Sequence, residues 1–173
     1  MRHCLLAVVV LFVSAAAGCS ADREPSGERE AASQRDVVVY DGLVVHGRPR
    51  VTPVSTSVKR TGHPAVDAVT ALLEHKPTHG HASAWSGMCA PGAGVRSVHV
   101  TKQLVTVDLE GFAPDAPGNA SCDLSMTGWT MQRQQVGWTI RTAIGSRAPV
   151  KVTTGGDYRV MRPITAQRRY LAS

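Results

Sequence analysis

Residues 95–109 read VRSVHVTKQLVTVDL, and this stretch decides the expected fold of the chain. Apolar and polar residues alternate over 95–100 and again over 104–109, which is the pattern of strands with one buried face. The three residues 101–103 are a short polar connection between the two runs. The segment therefore predicts a β-hairpin.

Helical and extended patterns flank this hairpin. Residues 64–77 begin with Pro64, repeat apolar residues at helical spacing and stop at Pro77, which indicates a helix of about three turns. A second helix is predicted between about residues 123 and 144, although two internal glycines weaken it. A strand follows at 149–154. This order predicts an α+β fold, a small two-layer domain with two helices packed on a mixed sheet that contains the central hairpin.

The segment before the first helix is rich in β-branched residues. Residues 37–40 form an apolar run, Asp41-Gly42 is interpreted as a turn pair, and residues 43–45 resume strand character. Residues 51–58 are a further extended segment, and Pro53 favours an edge position for it. We expect the folded part of the chain to begin at residue 37.

The N-terminus has the pattern of an export signal. A basic residue, Arg2, precedes the apolar run 5–17, which is too short to span a bilayer. Residues 16–19 read Ala-Ala-Gly-Cys, which matches the lipobox of bacterial lipoproteins. We therefore predict that residues 1–18 are a lipoprotein signal peptide and that Cys19 is the lipid-attachment residue. The alternative is ordinary signal-peptidase cleavage, which would leave Cys19 unmodified.

Residues 19–36 are predicted to be a flexible linker. This segment is charged, contains Pro and Gly and has almost no large apolar side chains, so it cannot bury enough surface to offset the entropy of ordering. With acyl chains on Cys19, it would hold a folded module close to the membrane. The expected location is the extracytoplasmic face of the cell membrane.

Composition limits the remaining possibilities. The 173 residues are 43% hydrophobic and 18% charged, which excludes a wholly disordered chain and fits one domain. The net charge is +6, but the basic residues are scattered without interleaved aromatic residues, so nucleic-acid binding is not expected. The domain is predicted at 37–156, and 157–173 as a basic C-terminal tail. This tail carries Arg159, Arg162, Arg168 and Arg169, which either are simply solvated or contact an anionic surface.

The chain resembles a known family, the GerMN domain of sporulation and spore-germination proteins and of many actinobacterial lipoproteins. The resemblance covers about residues 40–156 and lies in the order of four segments: ALLEHKPT (71–78), the hairpin with VTVDL (105–109), QVGWTI (135–140) and VKVTTGG (150–156). It implies a small α/β module similar to the ring-building motifs of secretion assemblies. The His- and Cys-containing segment 78–94 departs from the family pattern. The family has no established catalytic residues, so none is transferred to this chain.

Cysteine counting predicts one disulfide. Of the four cysteines, Cys4 lies in the signal peptide and Cys19 is the predicted lipid site, which leaves Cys89 and Cys122. A single pair in an exported domain fits a structural disulfide. The alternative is two unpaired thiols.

Three histidines at residues 75–81 are weak candidates for a metal site. His75, His79 and His81 could bring three imidazoles together, and neutral imidazole is a good zinc ligand. The sequence nearby shows no carboxylate partner and no fourth ligand, so solvated histidines are the simpler interpretation. No metal or other cofactor is predicted.

No catalytic motif is found in the sequence. Gly-x-Ser-x-Gly, HExxH and phosphate-loop patterns are missing, and Asp108 is a single candidate acid or base without a partner. We therefore expect a non-catalytic interaction module, anchored to the membrane by lipid, that binds an unidentified envelope protein. The alternative is a lipoprotein that binds a metal or small ligand through the His-rich loop 75–85, near Trp85.

Overall fold

A computed structural model of the chain describes residues 33–82, 85, 92–111, 126–155 and 158–172. The strands are β1 (Gln34–Val45), β2 (Arg48–Lys59), β3 (Gly94–Val100), β4 (Val105–Glu110), β5 (Val150–Thr154) and β6 (Tyr158–Ile164). The helices are α1 (Pro64–Glu74) and α2 (Met126–Ile144), and a 3-10 turn spans Arg168–Tyr170. None of the described helices is long and apolar enough to cross a membrane.

The strands form two sheets. β1 and β2 pair as an antiparallel ribbon, and the other four form a mixed sheet in the order β3-β4-β5-β6. The predicted hairpin is confirmed as the antiparallel pair β3–β4, while β4 and β5 run parallel. A parallel pair needs a crossover connection, and α2 lies in the one that joins β4 to β5. The predicted α+β class, with two helices packed on a mixed sheet, is confirmed.

One apolar core joins both sheets and both helices. It contains the inward faces of β4 and β5, and Val105, Val107 and Val152 have no exposed surface. Val69 and Leu73 of α1 are buried, as the helical spacing predicts. Val66, which lies at the same helical spacing, is only partly buried because it lines a surface groove.

The interpretation of Asp41-Gly42 as a turn is wrong. Both residues lie inside the twelve-residue strand β1, and both are buried. The chain turns instead at His46-Gly47, where φ is 49° and 71°, as a two-residue hairpin turn of type I′ requires. Gly42 is needed for close approach: a Cβ there would lie 3.0 Å from Met131 Sδ and 3.1 Å from Ala82 O.

Residues beyond 156 continue the regular structure instead of forming a tail. β6 pairs antiparallel with β5 and completes the four-stranded sheet. Two features of α2 hold the following segment: Gln134 Oε1 accepts a hydrogen bond from Gln167 N–H at 2.9 Å, and Gly137 lets Ile164 pack against the helix. The glycine that weakens the helical pattern in the sequence thus serves a helix–strand contact that only tertiary packing reveals.

Candidate functional site

The carboxylate of Asp41 is the centre of a polar cluster with no exposed surface of its own. His75 Nε2 lies 2.8 Å from Asp41 Oδ1, and the backbone N–H of Thr78 donates to Oδ2 at 2.9 Å. His81 Nδ1 lies 3.4 Å from Oδ2. We call these four residues the Asp41 cluster. A buried carboxylate needs such partners, because leaving it without them would cost several kcal/mol.

Local structure explains how the cluster forms. His75 follows the last residue of α1 and adopts an extended backbone conformation, which turns the chain back toward β1. Further along, Ala82 and Gly42 exchange two backbone hydrogen bonds of 2.7 Å each. Gln135 Nε2 of α2 donates to Ala82 O at 3.0 Å. The segment between α1 and residue 82 is therefore tied to β1 at both ends of the cluster.

The three histidines predicted as weak metal candidates do not act together. His75 and His81 meet at Asp41, whereas the side chain of His79 is exposed and has no part in the cluster. Among the described residues, no group of three His, Cys, Asp or Glu side chains is placed to hold a metal ion. Hydrogen bonding to a buried acid is the role that the structure gives to His75 and His81.

The role of Asp41 is not evident from the sequence, because Asp41-Gly42 has the composition of a turn. The signal that could have found it is the apolar run on both sides of Asp41-Gly42, which is continuous with a single long strand. Trp85 was also misplaced in a ligand-binding loop. Its side chain is 2% exposed and belongs to the main apolar core, and its Nε1–H donates to Gln132 O at 2.8 Å.

Asp67 is a second carboxylate without exposed surface, near the start of α1. Its Oδ1 accepts hydrogen bonds from the backbone N–H and the hydroxyl of Thr61, at 2.9 Å and 2.5 Å. Arg35 Nη1 lies 3.5 Å from Oδ2. Burial disfavours the charged form of Asp67, but the bonds from Thr61 and the charge of Arg35 outweigh it, so the pKa lies below its ordinary value.

Asp108, the candidate acid or base, takes part in contacts across the sheet. The hydroxyl of Thr153 on β5 donates to Asp108 Oδ1 at 2.9 Å. Arg96 Nη1 on β3 lies 3.7 Å from Asp108 Oδ2, and the arginine side chain is about half exposed. Asp108 therefore links three neighbouring strands.

An apolar groove opens beside the edge strand β3. It has a volume of about 260 Å³ and combines three structural elements: the first turn of α1, the last residues of α2, and β3. We call it the β3 groove; its apolar side chains include Val66, Val98, Val100 and Ile144, with His63 and Ser146 as polar neighbours. Val100 is 47% exposed, which is unusual for a large aliphatic side chain on a strand of this domain.

The sites predicted at cysteines lie outside the described residues. This holds for the lipid site Cys19 and for the disulfide partners Cys89 and Cys122. These assignments therefore remain predictions.

The fold is similar to that of a solved structure. The chain superposes on the tandem GerMN domains of the sporulation protein GerM from Bacillus subtilis with a TM-score of 0.54 and 13% identity. The match covers 79% of this chain and 46% of that one, so this chain spans about half the length of GerM's tandem-domain structure. The fold is GerMN-like, which confirms the resemblance noted in the sequence.

A second solved structure is more distant. A Clostridium perfringens protein assigned as a lipoprotein superposes with a TM-score of 0.42 and 13% identity, over 78% of this chain and 89% of that one. A match at that TM-score supports no conclusion about this chain. The sequence matches no protein-family model and no curated protein.

Proposed function

We propose that this chain is a lipid-anchored protein of the extracytoplasmic membrane face whose GerMN-like domain binds a protein partner and performs no chemistry. The observation that carries the proposal is the β3 groove. The groove brings the exposed Val100 together with the partly buried Val66, Val98 and Ile144 on one concave surface. Accessible apolar surface of this kind is typical of protein-interaction sites. The groove lies on the domain surface, where a partner could reach it.

The position of β3 adds a second means of binding. β3 is the first strand in the sheet order, so only one of its edges pairs with another described strand. An unpaired edge can accept a strand from another chain, and pockets beside it then select the side chains of that strand. Val98 and Val100 stand on β3 itself and line the groove. A partner that adds a strand here would place apolar side chains against them.

The arrangement of the buried acids supports a non-catalytic role. Asp41, Asp67 and Asp108 all accept hydrogen bonds from side chains or backbone groups of other elements. Each is thereby engaged in holding segments of the fold together. The metal-binding alternative lacks comparable support, because His75 and His81 are engaged by Asp41.

A matched pair of valines tests the role of the groove. Val100→Glu places a charge in the groove, whereas Val44→Glu places the same charge on a valine that is 55% exposed on β1 and does not line it. Both positions are solvent-exposed, so both variants should keep stability within about 0.5 kcal/mol. The membrane-anchored proteins are cross-linked in the native envelope, the captured partner is identified, and binding is repeated with the two purified proteins.

Three results bear on the proposed function. Loss of the purified complex in Val100→Glu, with binding retained in Val44→Glu, is the expected outcome. Equal binding by both variants would exclude the groove as the interface. Turnover of any substrate by the purified domain, abolished by a single side-chain substitution, would overturn the non-catalytic assignment.

The lipid anchor is tested separately from the domain. Cys19 follows Ala-Ala-Gly at the end of the apolar run. These are small residues of the kind that precede a lipobox cysteine, with Ala16 where Leu is usual. Mass spectrometry of the mature N-terminus should show an acylated Cys19, and Cys19→Ala should release the protein from the membrane fraction. A mature N-terminus without acyl mass would contradict the anchor.

The disulfide between Cys89 and Cys122 is part of the same proposal. A disulfide that closes the loop from residue 89 to residue 122 stabilises a domain by about 3–4 kcal/mol in the chain-entropy model. Peptide mapping without reduction should find the two cysteines cross-linked. Free alkylation of both thiols in the native protein would rule the disulfide out.

A further inference from the structure

A basic cavity lies at the other end of α2 from the β3 groove. Its volume is about 390 Å³. Three separate segments build it, namely the start of β2, the first turns of α2 and the C-terminal 3-10 turn. The lining residues are Arg48, Pro49, Arg50, Thr127, Thr130, Arg169 and Tyr170.

The three arginines of the basic cavity have no acidic partner in the part of the chain that the structure describes. Arg50 donates to the carbonyl of Pro49 at 3.1 Å, and the guanidinium of Arg169 lies 5.0 Å from the ring centre of Tyr170. No described carboxylate lies within ion-pair distance of Arg48, Arg50 or Arg169. Three like charges on one concave surface repel each other, and a bound anion would relieve that repulsion.

Two hydrogen bonds tie the segment around the 3-10 turn to the other two walls of the cavity, β2 and α2. Ala172 N–H donates to Val51 O at 2.9 Å, directly after Arg50 on β2. Gln167 N–H donates to Gln134 Oε1 of α2 at 2.9 Å, directly before the 3-10 turn. The arginines of β2 and of the 3-10 turn are therefore brought together by the fold, which lowers the ordering cost of binding a ligand between them.

We propose that the basic cavity binds a phosphate-bearing ligand that carries two or more negative charges. Guanidinium groups bind phosphate through paired N–H donors, and three of them can share its several peripheral oxygens. The hydroxyl of Thr127, in the first turn of α2, adds a donor at the positive end of the helix dipole. The cavity volume falls in the lower part of the range of small-ligand sites, about 300–1,000 Å³. This site is independent of the proposed protein-binding groove.

Calorimetry with pyrophosphate is the direct test. We use residues 20–173, which contain every described element and lack only the predicted signal peptide and anchor. The variants are Arg48→Gln with Arg50→Gln, and Arg169→Gln alone. The matched control is Arg162→Gln, which removes the same charge from an exposed arginine that does not line the cavity.

We expect one bound pyrophosphate per chain. Affinity should fall about tenfold for each guanidinium removed from the cavity, equivalent to about 1.4 kcal/mol. Arg162→Gln should stay within about twofold of the unchanged protein, because Arg162 does not line the cavity and salt screens charges that do not contact the ligand. Absence of pyrophosphate binding, or equal loss in Arg162→Gln and Arg169→Gln, would overturn the proposal. Circular dichroism checks that each variant is folded. If the variant with both Arg48→Gln and Arg50→Gln is unfolded, Arg169→Gln alone tests the site, because Arg169 lies on an exposed turn.

Vesicles distinguish a lipid headgroup from a soluble phosphate. Flotation compares phosphatidylcholine vesicles with the same vesicles containing phosphatidic acid, with and without pyrophosphate as competitor. Binding to phosphatidic acid that pyrophosphate displaces and Arg169→Gln weakens identifies a headgroup ligand. Pyrophosphate binding without vesicle binding identifies a soluble ligand. Vesicle binding that is unaffected by pyrophosphate and by all cavity variants would show that vesicles bind elsewhere and would exclude a lipid headgroup as the ligand of the cavity.

Discussion

Asp41 and Asp67 are both carboxylates without exposed surface, yet the chain stabilises them in different ways. Two of Asp67's hydrogen bonds come from Thr61, six residues earlier, and only Arg35 is distant in sequence. The partners of the Asp41 carboxylate among the described residues come from 34 to 40 positions later, after the whole of α1. One acid stabilises the local start of a helix, and the other joins two distant segments.

The two acids differ in which contacts are released when the carboxylate is removed. Removing Asp67 would free the turn before α1, while the helix would still be held by its apolar face. Removing Asp41 would leave His75 and the N–H of Thr78 without their acceptor and would release the segment that leads to Ala82. We therefore expect the loss of Asp41 to lower the free energy of unfolding more than the loss of Asp67, and substitutions can test this order.

Asp41→Ala should cause the largest loss of folding stability. Removing one partner of a buried, hydrogen-bonded pair with ionisable groups costs about 3 kcal/mol, because the remaining polar groups stay buried. Chemical denaturation measures the loss. The matched control is Asp36→Ala, which removes an exposed aspartate from the same strand and should change stability by less than about 0.5 kcal/mol. Equal losses at the two positions would show that the Asp41 cluster does not stabilise the fold.

Asp67→Ala should cost less, about 2 kcal/mol. Hydrogen bonds to a charged group contribute about 1.5–3 kcal/mol, and part of this loss is offset because alanine is a better helix former. Glu74→Ala, at an exposed acid in the last turn of the same helix, is the control. A larger loss for Asp67→Ala than for Asp41→Ala would reverse the proposed order of the two sites.

Lowering the pH should remove the contribution of Asp67 to the free energy of unfolding. Its folded-state pKa lies below the unfolded value of about 3.9, so the charged form is favoured by folding. This stabilisation is fully present above the unfolded pKa and is lost as pH falls through the folded pKa. The difference in unfolding free energy between the unchanged protein and Asp67→Ala should therefore shrink as pH falls below the unfolded pKa. A difference that grows on acidification would contradict the lowered pKa.

The histidines should give the smallest effects and an ordered series. His75→Ala removes a contact of 2.8 Å and should cost about 1–1.5 kcal/mol, whereas His81→Ala, with a contact of 3.4 Å, should cost about 0.5 kcal/mol or less. His79→Ala is the control and should have no effect, since its side chain is exposed. Thermal unfolding with and without added zinc measures all three. Equal destabilisation by His79→Ala, or a zinc-dependent rise in Tm lost in all three variants, would restore the metal interpretation.

Much of the fold could be predicted from the sequence. The β3–β4 hairpin lies within a residue of the alternating runs that predict it, and α1 begins at Pro64 as expected. The apolar residues Val136 and Ile140 of α2 are buried at the helical spacing that the sequence shows. These features depend on the order of neighbouring residues, so periodicity is enough to find them.

The errors occur where one local pattern fits two structures. Asp41-Gly42 has the composition of a turn, but β1 continues through it because Gly42 allows Met131 and Ala82 to approach the strand. Residues after 156 are rich in arginine, as a solvated tail would be, but β5 offers them an unpaired edge. In both places the contact that decides the structure comes from residues far away in the chain.

The α+β class and the hairpin follow from the sequence alone, because strand and helix periods are local properties of a chain. The resemblance to GerMN domains follows from the four segments that carry it. Tertiary packing is what brings Asp41 to His75 and His81, and Arg48 and Arg50 to one cavity with Arg169. These groups are separated by 34 to more than 100 residues in sequence. Their meeting depends on which strands pair and where helices pack, and no spacing between residues in the sequence records that geometry.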